Sequence, residues 1–147
     1  MSVVDIRGNT ALKRKFQRLA RGIKNRRPLM KRIGVKLLNE VSENFKREGH
    51  EGIPWTPLSP FTVARRRGGG GGAKILQDTG KLRKSFTEES NNQRTKVGTI
   101  VAYAENHEDG KGVPERKMLP SQEKTFEVAV AVTECYLKEN INKAGLK

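Results

Sequence analysis

The histidine and cysteine side chains, the usual nitrogen and sulfur ligands of zinc, are His50, His107 and Cys135, and no two of them stand three or four residues apart. A zinc site needs three or four ligands at recurring spacing, so no metal is expected. His107, within Tyr-Ala-Glu-Asn-His-Glu-Asp-Gly (103–110), is a candidate general base. No serine, cysteine or metal motif accompanies it, and a loop histidine bonded to backbone is the favoured reading. Glu88-Glu89 and the group Glu105, Glu108, Asp109 have the chemistry for acid–base work, but nothing fixes two of them in one pocket, so they read as solvated charge. Cys135 reads as a small buried hydrophobe. Arg65-Arg66-Arg67 precedes Gly68–Gly72, yet Lys74 is followed by Ile75, not the hydroxyl that a nucleotide-phosphate loop places there. The expectation is a protein with no catalytic residues, no cofactor and no enzymatic activity.

What remains is charge. The chain has 147 residues and a formal net charge of +14. Residues 1–36 hold twelve of the cations and one anion, Asp5, so this segment carries +11 of that total. Such a segment repels itself unless counter-charge is supplied. Lys13, Arg14, Arg18, Arg21, Lys24, Arg26 and Arg27 are therefore candidates to face an acidic partner or DNA. One cysteine excludes an internal disulfide, no apolar run reaches membrane-spanning length, and no signal peptide is evident, which points to a reducing, aqueous setting and no membrane.

The elements that position these residues follow from periodicity. Leu12, Phe16, Leu19 and Ile23 mark one face of a helix opening at Thr10, and Pro28 ends or bends it. Met30, Ile33, Leu37, Leu38, Val41 and Phe45 mark a second, closed at Gly49. The two form a helical pair or one long broken helix. Trp55, the only tryptophan, sits between Pro54 and Pro57 in a stretch that reads as an extended loop, anchored at the aromatic and loose across 65–74, with a helical turn after Ser59. A small antiparallel sheet is expected from about Lys84 to Ala104, with Asn91-Asn92-Gln93 as its connection and Asn106–Pro114 as loop. Ser121 opens a last helix whose buried stripe is Phe126, Ala129, Val130, Thr133 and Leu137, widened by Val128 and Val132 to lie on the sheet. The whole reads as one α+β domain, residues 1–147, with a basic helical segment over 1–48.

Five pieces in order resemble the phage virion morphogenesis proteins, the tail-completion type known from Mu-like phages. They are Gly52 with Trp-Thr-Pro-Leu-Ser-Pro-Phe-Thr (55–62), Ile-Leu-Gln-Asp-Thr-Gly-Lys-Leu-Arg-Lys-Ser-Phe (75–86), Val97-Gly98-Thr99, the 103–110 stretch quoted above, and Val-Pro-Glu-Arg-Lys-Met-Leu (113–119). The resemblance implies a structural virion protein made in the host cytoplasm. It would be a subunit of a ring, typically sixfold, at the head–tail junction. Its partners would be further copies, head-closure or connector proteins, the tail terminator, and DNA in the channel. Contacts would then fall on Trp55, Leu58, Thr62, Arg65, Arg66, Arg67, His107, Pro114 and Arg116. Trp55 would act as a rigid anchor and Arg116 as an ion-pair donor. The alternative is a nucleic-acid-binding module that uses the basic helices and the Arg/Gly loop.

Overall fold

Pro28 separates two helices. The computed structural model describes residues 10–66 and 73–146. In it α1 spans Thr10–Lys24 and α2 spans Arg27–Arg47, with the proline in the first turn of α2, where its missing N–H costs nothing. The N-terminal segment is thus a helical pair. The Arg27 N–H donates to Asn25 Oδ1 (3.2 Å) and to Asn92 Oδ1 (2.9 Å), so a distant turn helps to cap α2. At its other end the left-handed residue is Glu48 (φ 51°), not Gly49 as the sequence suggests. Gly49 instead opens β1 (Gly49–His50), which pairs with β2 (Ile53–Pro54), and a side chain there would run into the Ile53 carbonyl at 2.7 Å.

Leu29, Ile33, Leu37, Val41 and Phe45 recur every fourth residue and make α2 the spine. Its first half shares a cluster with Val128 and Tyr136 of α6 (Gln122–Ala144). Its second half shares another with Trp55, Ile75, Leu82, Phe86, Ala104 and Met118. Between these lie the short helices α3 (Pro60–Arg65), α4 (Lys81–Lys84) and α5 (Tyr103–Asp109), and a hairpin of β3 (Thr87–Ser90) with β4 (Thr95–Gly98), which pairs Thr87 with Gly98 and Ser90 with Thr95. Ser59 caps α3, its hydroxyl accepting from the Thr62 N–H at 3.2 Å. The fold class is α+β, as expected. The C-terminal helix lies mainly along α1 and α2, and meets the sheet where Val97 packs into the α2–α6 cluster.

Several expectations need correction. The strand expected to reach Ala104 stops at Gly98, because the Thr99 hydroxyl accepts from the Val101 N–H (3.1 Å) and turns the chain into α5. The stretch read as loop from Asn106 is therefore helical to Asp109. On α6 the buried residues are Val128, Tyr136 and Ala144, while Phe126, Val130 and Leu137 stay exposed. Apolar residues stand on more than one face of this helix, with Val128 and Tyr136 on other sides than Phe126, Val130 and Leu137, so periodicity leaves its rotation open. Tyr136 fixes it: its hydroxyl donates to the Gly22 carbonyl (3.1 Å) and Arg32 stacks over its ring at 5.3 Å. Cys135, next along, is exposed, not buried. Glu88, read as solvated, has a side chain only 6% exposed and paired with Lys31, because it points at α2.

The hairpin approaches α2 at Gly34. A β-carbon there would lie 2.3 Å from Thr95 Oγ1 and 2.8 Å from Glu88 Oε2. Gly34→Ala is expected to cost about 1–3 kcal/mol despite alanine's better helix propensity, because overpacking outweighs it. Urea unfolding will show this as a lower midpoint at unchanged slope.

Candidate assembly surfaces

The segment from Arg116 to Ser121 belongs to no helix or strand, yet side chains from three other segments satisfy much of its backbone. The Lys117 carbonyl accepts from Trp55 Nε1 (2.9 Å), the Met118 carbonyl from buried Asn44 (3.0 Å), and the Leu119 carbonyl from His50 Nε2 (2.8 Å). The Met118 N–H donates to Glu108 Oε2 (2.8 Å) and the Ser121 N–H to Glu51 Oε1 (2.8 Å). Arg116 works in reverse. Its Nε and Nη2 both donate to the Thr56 carbonyl (3.0 and 2.9 Å), and its own N–H donates to the His107 carbonyl at 2.6 Å. A buried irregular segment needs such partners, since each unpaired polar group costs a lost hydrogen bond.

This knot unites Trp55, His107 and Arg116, three of the residues expected to make contacts. Trp55 and Arg116 are themselves buried within the chain and hold the surrounding loops in place. Within the chain the Arg116 guanidinium pairs with carbonyls. Leu58 packs half-buried against the core, and the Thr62 hydroxyl lies 2.8 Å from that of Ser59. Pro114 and Arg65 are exposed; Arg65 lies over exposed Phe61 at 5.1 Å, and Arg66 bonds the Lys74 carbonyl. Arg67, and most of the loop expected to be loose over 65–74, lie outside the described residues.

His107 sits on α5, not in a loop. Its Nδ1 is buried without a partner, and burial, with the Arg116 guanidinium second, holds its pKa below the usual histidine range. The neutral ring is the native form. Its contribution to stability is full above the ordinary histidine pKa and is lost as pH falls from there through the depressed native value. The melting temperature is expected to drop between about pH 7 and pH 5, and less so in His107→Gln; melts across that window test it. Glu108 is shifted up by burial, against the pull of the Met118 and Leu119 N–H groups, so its protonation moves stability in the opposite sense. Among the described residues no group of three histidine, cysteine, aspartate or glutamate side chains is placed to hold a metal ion, and no helix is long and apolar enough to cross a membrane.

Two outer surfaces differ sharply in charge. On α1, Lys13, Arg14, Arg18, Arg21 and Lys24 are exposed, as are Arg26 and Arg27 just beyond, and no acidic side chain among the described residues pairs with any of them. No residue of α1 is fully buried. At the other end of α2 and α6 lies a cleft of about 600 Å³ lined by Glu40, Glu43, Glu51, Glu123 and Glu127. Arg47 and Lys124 line it with them and Lys46 pairs with Glu43, yet the glutamates outnumber these cations, so a strongly basic chain carries a locally acidic site. The sequence reading missed it, because its glutamates come from three separated segments.

A model of the phage virion morphogenesis family matches residues 8–134. The chain belongs to that family. The match takes in both helices of the N-terminal pair, the Trp55 loop, the 116–121 knot and more than half of α6. It assigns the chain a structural or assembly role in a phage virion. No curated protein and no solved structure matches it.

Proposed function

We propose that this protein is a tail-completion subunit, one copy in a ring at the neck of a tailed phage that lets a finished tail join a DNA-filled head. Family membership supports a virion role, and α1 supports assembly within it. This helix has six cations, no acidic residue and no buried residue, and it exposes Leu12, Phe16 and Ile23. A helix of this kind gains little from its own domain, because packing of an apolar face supplies most helical stability in a protein. It is a surface awaiting a partner. The partners in this reading are further copies of the chain and the neighbouring neck proteins, head-closure or connector on one side and tail terminator on the other, with DNA passing through the ring. The chemistry is non-covalent throughout.

The test is a phage lacking the gene, examined by electron microscopy. Full heads and tails of finished length that fail to join are expected, with joining restored when the protein is supplied. Normal, infectious particles without it would overturn the reading, as would turnover of a substrate by the pure protein that is lost in His107→Gln.

A further inference from the structure

The exposed apolar stripe of α6 has a counterpart on α1. On α6 it runs Phe126, Val130, Thr133, Leu137, at spacings of four, three and four. On α1 it runs Leu12, Phe16, Leu19, Ile23, at the same spacings. That is the rhythm of a helix–helix seam, and each stripe is about 16 Å long at 1.5 Å per residue. Neither stripe is fully covered by its own chain. Phe126 is 71% exposed and Phe16 55%, with Leu12, Ile23, Val130 and Leu137 also exposed. The half-buried positions of α1 are Lys15, Leu19 and Gly22, whose mean direction is displaced from that of Leu12, Phe16 and Ile23 by roughly 70° at about 100° per residue. The helix is thus rolled so that α6 covers one edge of the stripe.

The flanks are complementary. At about 100° per residue, Lys13 and Lys24 border the open side of the α1 stripe. Glu123, Glu127 and Glu134 border the α6 stripe, followed by one cation, Lys138, while its other side carries the uncharged Gln122, Ala129 and Asn140. Glu123 and Glu127 also line the acidic cleft, which extends the negative surface beyond the start of the stripe. Within one chain the two faces cannot meet. The chain's own α1 is docked on the far end of α6, where Gly22 abuts Asn140 and Gly145 abuts Lys15.

We infer that α1 of one copy packs along the exposed Phe126–Leu137 face of α6 in the next. The inference rests on the ring reading and names the contact that builds it. One patch meets a different patch, so the contact is head-to-tail and propagates until it closes. Heptad-like seams select partners by flanking charge, and here cations on one helix face glutamates on the other.

The test uses the full chain in two charge-swapped forms. One carries Lys13→Glu and Lys24→Glu; the other carries Glu127→Lys and Glu134→Lys. All four sites are exposed, so circular dichroism and melting should match the wild type. The wild type is expected to self-associate in sedimentation experiments. Each swapped form alone should associate at least about tenfold more weakly, and an equimolar mixture should recover, because each then offers the other a complementary pair of faces. Phe16→Ser and Phe126→Ser should each weaken association about thirtyfold, as loss of a central aromatic anchor does. If the wild type associates and the swapped forms associate equally well, the contact is wrong while the ring reading stands. A wild-type chain that stays monomeric to millimolar concentration also overturns the contact. The ring reading itself falls only if particles mature without the protein.

Discussion

The Phe45→Ala protein will lose about 3–5 kcal/mol of stability, a large part of the 5–15 kcal/mol that holds a domain together. Phe45 is 0% exposed and is the point where three distant segments meet. Its ring stands edge-on to Trp55 at 5.5 Å and to Phe86 at 5.8 Å, and Val41 lies one turn before it on the same face of α2. Truncation removes the transfer free energy of the ring, forfeits two edge-to-face contacts and leaves a cavity that the aromatic walls cannot close. Trp55 is the only tryptophan and lies against the deleted ring, so its fluorescence in urea reads the loss directly. Phe45→Leu keeps more of the volume and should cost less than half as much. A loss under about 1 kcal/mol in the alanine protein would mean that Trp55 and Phe86 do not depend on Phe45 for their packing.

That junction marks the boundary of what could be read in advance. The face of α2 was legible from the spacing of Ile33, Leu37, Val41 and Phe45, because a helix that must bury one side repeats about every 3.6 residues. The caps at Ser59 and Ser121 were legible because a hydroxyl ahead of a helical pattern has one obvious task. The hairpin turn at Asn91–Gln93 was legible for a similar local reason. The rotation of α6 was not. Its apolar stripe was found correctly as a stripe, but the monomer buries the neighbouring face, since Tyr136 must reach the Gly22 carbonyl. Periodicity says that a face is apolar; it does not say whether the same chain or another one covers it.

The residues singled out for contact show the same limit. Trp55, His107 and Arg116 are three of the nine residues expected to make contacts, and the chain brings these three together, through hydrogen bonds that each join residues more than fifty positions apart or bridge α5 to the following segment. Polar side chains beside prolines and glycines read as surface in a sequence. Here they serve the backbone of an irregular segment, a role that no local pattern announces. The acidic cleft was invisible for a related reason: Glu40 and Glu43, Glu51, and Glu123 with Glu127 become neighbours only once α2, the first hairpin and α6 converge. The basic helix was legible in full, because its charge lies within a single run.

Arg116 gives the second large effect. It is 5% exposed, no carboxylate among the described residues pairs with it, and burial, with Arg66 second, holds its pKa below the usual arginine range. It remains a cation, since a guanidinium does not deprotonate in proteins. The fork compensates its burial by placing Nε and Nη2 on the single Thr56 carbonyl, with a longer 3.4 Å contact from Nη2 to Pro57. Arg116→Met will cost about 2–4 kcal/mol, because it removes hydrogen bonds made by a charged group and leaves that carbonyl unpaired. Arg116→Lys will not rescue it. An ammonium cannot set two rigid N–H groups on one oxygen and is harder to strip of water. It keeps the burial cost of the charge and loses the geometry that offset it. Urea unfolding followed at Trp55 ranks the three proteins, and limited proteolysis after Arg65 or Arg66 reports whether the loop has come free. A lysine protein as stable as the wild type would show that charge alone suffices at this position. If the fork is what matters, both variants will release the loop that carries α3 with exposed Phe61 and Arg65, while α1 and the outer face of α6 keep their structure. Self-association would then persist under conditions where the Trp55 loop is cut, which separates the inner knot from the outer contact by experiment.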